Sequence, residues 1–163
     1  MVRPVSLSVA KALALLVPAA LLAGAYGSQH LGGLAPCEMC YWQRWPHWAA
    51  VALALGSILL STMPDRGRSL VWLAALAILV SGGIGVYHVG VEQGIFIRTC
   101  GGPCNVPPEQ MMECVMRPRV ACDAIQFQFL GISMAGWNAI ISVLSALVIL
   151  WLSFKRPKDL ALA

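Results

Sequence analysis

Six cysteines are the residues of this sequence best suited to redox chemistry. Cys37 and Cys40 form a Cys-x-x-Cys motif, and four more cysteines follow along one later stretch: Cys100, Cys104, Cys114 and Cys122. A Cys-x-x-Cys disulfide closes only a small ring and is easily reduced and re-formed, which favours redox chemistry. A structural staple and a zinc half-site are the alternatives. We predict no metal, because the later stretch contains neither a second Cys-x-x-Cys nor a histidine pair at ligand spacing.

Arg44 follows Cys40 by four residues, which places both on one face of a helix that has begun by the motif. A guanidinium in that position holds Cys40 as a thiolate, and it can hydrogen-bond a carbonyl oxygen that gains negative charge on reduction. The N–H groups of a helix N-terminus favour the same thiolate. The alternative for Arg44 is a cation at the membrane surface that extends to lipid phosphate.

The elements that must position these residues are apolar helices. Apolar residues make up 59% of the chain and charged residues 11%, against about 45–50% and about 25% in soluble domains. This composition excludes a soluble enzyme and a disordered chain. Four runs are long enough to cross a bilayer: 9–26, 45–63, 70–91 and 133–154. Because only helices satisfy their backbone groups in lipid over such short segments, we predict an all-α membrane protein, a four-transmembrane-helix bundle forming a single domain over 1–163.

The first run has an alternative interpretation as a cleaved signal peptide, because Ala23-Gly24-Ala25 is similar to a cleavage site. The run is long for the apolar region of a signal peptide, and cleavage would leave only three helices to pack. We therefore predict that it is a transmembrane helix.

The lysine and arginine residues predict the orientation of the bundle. Seven of them lie at the N-terminal end, in the 64–69 turn and in the C-terminal tail, and four lie on the other side. We expect both termini in the cytoplasm and two loops, 28–44 and 92–132, facing the periplasm. All six cysteines fall in those loops, on the oxidising side where disulfides form. The net charge of +4 reflects this topology, and no basic patch interleaved with aromatic residues indicates nucleic acid.

Several motifs together resemble the disulfide bond formation protein B (DsbB) family. The segment Pro36-Cys37-Glu38-Met39-Cys40-Tyr41-Trp42-Gln43-Arg44 is similar to the first outward loop of that family. Tyr87-His88 and Thr99-Cys100 fit the end of its third span and the residues after it. Cys122-Asp123, with Phe129-Leu130-Gly131-Ile132-Ser133-Met134-Ala135-Gly136-Trp137, resembles the entry into its fourth helix. The likeness covers nearly the whole chain.

The resemblance implies a multi-pass oxidoreductase of the bacterial inner membrane. Its partner would be a soluble periplasmic DsbA-like thiol oxidase, and its electron acceptor a quinone of the membrane pool, ubiquinone or menaquinone. By analogy the partner attacks Cys100, Cys122 links transiently to Cys37, and Cys40 is freed as the thiolate that reduces the quinone. The implied catalytic residues are Cys37, Cys40, Cys100, Cys122 and Arg44.

The resemblance also implies which residues contact the quinone. They are Cys40, Arg44, His88 and Met134. On general grounds His88 at a span end is an interfacial hydrogen-bonding residue, and Met134 is a flexible filler between helices. These interpretations remain the alternatives to quinone contact.

The second outward loop departs from the family, which needs one cysteine pair there where this chain has four cysteines. Thr99-Cys100 matches the first member and Cys122 the second, so Cys104 and Cys114 are extra. They form a separate brace, a shuttle pair or an alternative partner for Cys122. Cys104, which follows Gly101-Gly102-Pro103, is also an alternative point of attack for the partner. Both pairings, Cys100–Cys122 and Cys104–Cys122, stay open at this point.

Two other functions compete with this interpretation. The first is a non-enzymatic four-span membrane scaffold whose outward loops are braced by permanent disulfides, which gives no reason for Arg44 beside a Cys-x-x-Cys. The second is a quinone reductase of the vitamin K epoxide type. In that class the Cys-x-x-Cys lies late in the chain within a helix, whereas here it precedes the second span.

Overall fold

The computed structural model describes residues 5–62, 64–97, 100, 107–109, 111–112 and 120–154. The described chain contains four long helices: α1 (Val5–His30), α2 (Glu38–Leu59), α3 (Arg68–Glu92) and α4 (Met134–Phe154). A short hairpin, β1 (Gln128–Phe129) with β2 (Ile132–Ser133), precedes α4. The predicted all-helical architecture is confirmed. The hairpin is an addition that the sequence did not indicate.

The first connection is shorter than predicted, because the helices continue past the apolar runs. α1 extends to His30 and α2 begins at Glu38, so residues 31–37 form the loop rather than 28–44. An apolar run marks the extent of lipid, whereas a helix continues into polar sequence for as long as its end is capped. Cys37 supplies the cap of α2, since its backbone is extended and its Sγ accepts a hydrogen bond from the N–H of Cys40 at 3.2 Å.

The other end of α2 also differs from the predicted run of 45–63. The helix ends at Leu59, and the N–H of Leu60 caps it by donating to the oxygen of Gly56 at 2.9 Å. Pro64 lies five residues beyond the last helical residue, and a proline disfavours helical backbone at the residue just before it.

The hairpin forms the end of the second connection and leads directly into α4. It is antiparallel, with Gln128 opposite Ser133 and Phe129 opposite Ile132. The two turn residues, Leu130 and Gly131, have φ values of 54° and 77°, which is the left-handed backbone that a two-residue hairpin turn requires. The Ser133 hydroxyl then accepts a hydrogen bond from the N–H of Gly136 at 3.1 Å, which caps α4.

The four helices pack as a bundle in which α3 contacts both α2 and α4, and α1 contacts the same two helices. Small residues allow the closest approach. A Cβ on Gly85 would lie 3.0 Å from the backbone oxygen of Ala135, and one on Gly82 would lie 3.0 Å from Cγ2 of Val143. Close packing of α3 against α4 therefore explains these two glycines.

The core has two separate parts. The first, here called the alanine cluster, lies where α1 and α3 begin and α2 and α4 end, and contains Leu7, Ala10, Ala14, Ala50, Ala54, Val71, Ala74, Ala75, Ile78, Ala146 and Ile149. The second, here called the cysteine cluster, lies at the opposite end and contains Cys37, Met39, Val91, Cys100 and Cys122. Chemistry and packing thus occupy different ends of the bundle.

Three of the helices in the described chain are long and apolar enough to cross a membrane, namely α1, α3 and α4. α2 is not among them, because Gln43, Arg44 and His47 make its first half polar. These three helices identify a membrane protein.

Candidate active site

Cys37 and Cys40 lie at the first turn of α2, with their sulfur atoms 2.6 Å apart. The helix fixes this arrangement. Cys37 immediately precedes α2 and Cys40 is its third residue, so the two side chains lie on the same side of the helix axis. Cys37 is buried and Cys40 is half-buried, and neither is in a disulfide. A disulfide has an S–S length of about 2.05 Å, so small side-chain rotations are enough to join the two sulfurs.

The two thiols differ in acidity. The hydrogen bond from the Cys37 thiol lowers the pKa of Cys40 to about 7, and the positive charge of Arg44 acts in the same direction, whereas burial opposes the shift. The pKa of Cys37 is raised, first because its thiol hydrogen-bonds to Cys40 and then because the side chain is buried. Cys40, which precedes the apolar run of α2, is therefore the more acidic thiol of the pair.

A second cysteine pair lies against the first. Cys100 and Cys122 are joined in a disulfide with their Cα atoms 5.8 Å apart. Both belong to the same buried cluster as Cys37, and Cys40 packs against that cluster. Cys104 and Cys114, the two extra cysteines of the sequence, lie outside the described residues. Of the two pairings that the sequence left open, the structure contains Cys100–Cys122.

His88 connects the two pairs. Its Nε2 lies 3.6 Å from the Cys37 sulfur and 3.1 Å from the backbone oxygen of Cys122. One turn later on α3, the Oε1 of Glu92 is 3.9 Å from the same nitrogen. The imidazole therefore contacts the sulfur of Cys37 in the first pair and the backbone of Cys122 in the second.

Arg44 points into the bundle. Its side chain is only 7% exposed, and its Nη atoms donate to Oε1 of Gln29 at 2.6 Å and to the backbone oxygen of Ala25 at 3.1 Å. The guanidinium also lies over two aromatic rings, 4.7 Å from the centre of Tyr26 and 5.2 Å from that of Tyr41. Its Nε is buried and has no hydrogen-bond partner within the described chain. Nε is thus the one guanidinium nitrogen of Arg44 without a hydrogen-bond partner in the described chain.

A network of buried polar side chains continues from His88 into the bundle. Gln43 places its Nε2 2.8 Å from Nδ1 of His88 and accepts from Nδ2 of Asn138 at 2.7 Å. Oδ1 of Asn138 is 2.9 Å from Nε2 of His47, and the same nitrogen is 2.9 Å from the hydroxyl of Ser81. The network joins α2, α3 and α4 and pairs most of its polar atoms, although Nδ1 of His47 is buried and has no hydrogen-bond partner within the described chain.

The sequence interpretation did not predict this network. His47, Asn138 and Ser81 are not among the site residues predicted from the sequence. The sequence does contain a signal for it, since the amide of Asn138 and the imidazole of His47 lie inside apolar runs. Burying a polar side chain in the membrane costs free energy, so such a side chain usually faces a polar partner or a functional cavity. Which partners they meet depends on the register between helices, which the sequence does not specify.

A cavity of about 260 Å³ adjoins these side chains. All four residues predicted to contact a quinone line it: Cys40, Arg44, His88 and Met134. Apolar residues of α1, including Leu21 and Leu22, form one wall, and residues 124–127 form another. The cavity therefore combines an apolar lining with a thiol, a guanidinium and an imidazole, as binding sites for small flat ligands do.

An apolar helical bundle that holds a Cys-x-x-Cys pair against a second, bonded pair has the arrangement of a membrane thiol–disulfide oxidoreductase. The family model described as "Disulfide bond formation protein DsbB" matches residues 8–152. This chain belongs to that family, so the predicted family and its disulfide-forming activity are confirmed. Membership disfavours the non-enzymatic scaffold.

Several relatives named "Disulfide bond formation protein B" are similar over most of their length. The one from Paracidovorax citrulli is 32% identical over 160 residues, covering 91% of this chain and 89% of the relative. The one from Xanthomonas euvesicatoria pv. vesicatoria is 32% identical over 156 residues, covering 90% of each chain. The one from Acinetobacter baumannii is 30% identical over 135 residues, covering 78% and 79%. Among solved structures none matches significantly.

Proposed function

We propose that this protein re-oxidises a soluble periplasmic DsbA-like thiol oxidase and passes the electrons to a membrane quinone, ubiquinone or menaquinone. A DsbA-type dithiol has a reduction potential of about −120 mV, so its oxidation needs an acceptor stronger than glutathione or an ordinary disulfide. A quinone dissolved in the bilayer is such an acceptor. The single observation that carries the proposal is His88, which contacts both Cys37 and Cys122 beside a cavity open to a ligand.

The proposed exchange begins at the second pair. A thiolate of the partner attacks the sulfur of Cys100, which forms a mixed disulfide and releases Cys122 as a thiolate. Cys122 attacks Cys37 in the oxidised Cys37–Cys40 pair, and Cys40 leaves as a thiolate. Each step forms one S–S bond and breaks one. Three of the four sulfurs are buried in one cluster and Cys40 packs against it, which supports this order because the exchanging sulfurs are close together.

The roles of the surrounding residues follow from their charges and contacts. The Nε2–H of His88 stabilises the thiolates that form at Cys122 and Cys37. The partner's second thiolate resolves the mixed disulfide at Cys100, and Cys100 then displaces Cys37 from Cys122, which restores the second pair. The Cys37–Cys40 dithiol retains the two electrons. The low pKa of Cys40 makes it the sulfur that delivers them.

The cavity residues fit a quinone head group. Arg44, which lines the cavity, would donate to a carbonyl oxygen, Met134 and the α1 leucines would contact the ring, and Cys40 would lie at the polar end. When bound, the quinone takes up the two electrons and two protons that the partner dithiol loses. The protein's contribution is to orient the ring, to keep water away from Cys40 and to place a positive charge beside the oxygen that becomes negative.

We propose further that α2 also crosses the membrane and that both termini are cytoplasmic, in the inner membrane. The 22 residues of α2 extend about 33 Å, enough for the hydrocarbon layer. Its polar residues Gln43, Arg44 and His47 face the interior of the bundle, each at most 7% exposed, so mean hydropathy understates how apolar its outer surface is. Alkaline phosphatase fused after Trp151 should be inactive, and fused near Val106 it should be active. The reverse pattern would contradict the orientation.

The test of the proposed function is turnover with purified components in detergent. Reduced DsbA-like protein and a short-chain ubiquinone or menaquinone are mixed with catalytic amounts of this protein, and quinone absorbance and partner thiols are followed together. We expect one quinone reduced for each partner molecule oxidised. Partner oxidation without quinone reduction, or no reaction with either quinone, would overturn the proposal.

A further inference from the structure

We propose that the reduced Cys37–Cys40 pair and His88 together form a Zn²⁺-binding site that exists only in the reduced protein. The Sγ atoms of both cysteines and a ring nitrogen of His88 lie within 4.8 Å of one another, in a largely buried position. Two thiolates and one imidazole are a ligand set that zinc prefers. This inference goes beyond the proposed function and does not depend on quinone or partner chemistry.

The distances suit a tetrahedral ion. With Zn–S near 2.3 Å and Zn–N near 2.0–2.1 Å, the ligand atoms of such a site lie about 3.4–3.8 Å apart. The Cys37 sulfur and Nε2 of His88 are already 3.6 Å apart. The two sulfurs, at 2.6 Å, must separate by about one ångström. Rotation about the Cα–Cβ bonds is enough for this, so the helices do not have to move.

Glu92 can supply the fourth ligand. Its side chain is 7% exposed, and its Oε1 is 3.9 Å from Nε2 of His88. The other carboxylate oxygen, Oε2, accepts a hydrogen bond from the hydroxyl of Ser133 at 2.5 Å, which directs Oε1 toward the imidazole. Glu92 follows His88 by four residues on α3, so the two side chains share one face of the helix. Glu92 is not among the three groups that already lie within 4.8 Å of one another, so its side chain must turn toward the two sulfurs to complete a four-ligand site.

The charges around the site balance when the ion is bound. Each thiol releases a proton on binding, which leaves two thiolates and the Glu92 carboxylate against the guanidinium of Arg44. Adding a divalent cation brings the sum of these charges to zero, and a buried group of charges is tolerated only when it is balanced. The oxidised pair has no thiolate to offer, so zinc distinguishes the two redox states.

Gln43 is a positioning residue for this site. Coordination through Nε2 requires the proton of His88 to be on Nδ1, and that proton then needs an acceptor. The side-chain amide of Gln43 lies 2.8 Å from Nδ1. Turning the amide by half a rotation presents Oε1 to the N–H, in exchange for the hydrogen bonds that Gln43 now makes with Asn138 and with the backbone oxygen of Met39. A hydrogen bond of this kind orients a metal-bound imidazole, and its loss costs about 10–100-fold in metal affinity.

Cobalt is the probe for the experiment, because Co²⁺ occupies zinc sites and absorbs strongly when thiolates bind it. The full-length protein is reduced, freed of chelator and titrated with Co²⁺ and then Zn²⁺. We expect one ion per chain, a sulfur-to-cobalt absorption band, and loss of that band when zinc is added. His88→Ala and Gln43→Leu should each weaken binding by about tenfold or more. His30→Ala, at the exposed end of α1, is the matched control and should bind as the unmodified protein does.

Alkylation provides a measurement that does not need folded variants. Zinc should protect Cys37 and Cys40 from a maleimide in the unmodified reduced protein, and mass spectrometry identifies the protected sulfurs. The same protection should persist when Cys104 and Cys114 are both replaced by serine. Binding of equal strength by the oxidised protein, a band unchanged in His88→Ala, or protection lost with Cys104 and Cys114 would each overturn the zinc site. None of these outcomes alters the turnover test of the proposed function.

Discussion

The two ends of the bundle are buried in different ways. At one end, the alanine cluster fills the space between helices with methyl and methylene groups that have no reactivity. At the other end lie four cysteine sulfurs, two imidazoles, two side-chain amides and a guanidinium, all buried or half-buried, and several of them hydrogen-bond one another. Helix packing alone would be served by small apolar residues throughout. Burying polar groups at one end costs stability, and function explains why the cost is accepted. Substitutions at that end should therefore reduce activity, whereas substitutions in the alanine cluster should reduce stability.

The largest effect is expected from Cys40→Ser at the polar end. Without the Cys40 thiolate the Cys37–Cys40 disulfide cannot form, so multiple-turnover quinone reduction should fall to background. A mixed disulfide between Cys100 and the partner should still form, because the second pair is intact. Quinone absorbance and non-reducing gels measure the two results. Turnover retained in Cys40→Ser would remove this sulfur from the mechanism.

Arg44→Ala should raise the apparent KM for quinone by about tenfold, because a hydrogen bond to a charged group contributes about 1.5–3 kcal/mol. Arg44→Lys should recover only part of the loss, since an ammonium lacks the planar set of donors. The matched control is Arg68→Ala, an arginine at the opposite end of the bundle, which should leave KM unchanged. Equal KM values in the two alanine variants would show that Arg44 has no role in quinone binding.

Asn138→Leu tests whether the buried network positions His88 or only stabilises the bundle. Asn138 holds Gln43 by a 2.7 Å hydrogen bond, and Gln43 contacts the His88 ring. Removing that support should slow partner oxidation about tenfold at saturating quinone, equivalent to about 1.4 kcal/mol, with KM for quinone little changed. Ser153→Ala removes a buried hydroxyl at the other end and should leave the rate unchanged. If Asn138→Leu and Ser153→Ala oxidise the partner at similar rates, the network only stabilises the bundle and does not position His88.

Ile78→Ala should show the opposite behaviour, with stability lost and chemistry kept. Ile78 is fully buried in the alanine cluster, and its truncation leaves a cavity that costs about 2 kcal/mol. Leu76→Ala on the same helix is the control, because that side chain is 55% exposed and its removal leaves no cavity. The midpoint of denaturant-induced unfolding should fall for Ile78→Ala only, with kcat unchanged at low temperature. A loss of kcat as large as that of Asn138→Leu would remove the distinction between the two ends.

The same difference explains what the sequence could predict. Apolar runs have a direct physical meaning in lipid, so α1, α3 and α4 were located to within a few residues, and the spacing of Cys40 and Arg44 placed them on one helix face. The resemblance added His88. The partners of His88 were out of reach, because the contacts of Gln43 and Asn138 depend on the rotation of three helices about their axes. The hairpin at 128–133 was missed because two-residue strands carry no periodic pattern, and its turn contains Leu130 at positive φ.

The smallest effect on activity is expected from replacing both Cys104 and Cys114 with serine. The structure joins Cys122 to Cys100, so neither of the other two cysteines is needed to complete the second pair. The double variant should keep most of its turnover. If the two cysteines brace the loop, the variant should lose about 2–3 kcal/mol of stability, the value expected for a cross-link that closes a loop of about ten residues.

Trapping the partner sharpens this last prediction. A DsbA-like partner that lacks its second cysteine cannot resolve the mixed disulfide, so it should accumulate as a covalent adduct that mass spectrometry assigns to one sulfur. We expect the adduct on Cys100, because the release of Cys122 beside His88 and Cys37 requires attack on its own disulfide partner. Cys100→Ser should then stop partner oxidation, and Cys104→Ser should be tolerated. An adduct found only on Cys104 would move the entry point of electrons away from the cysteine cluster and into the extra pair.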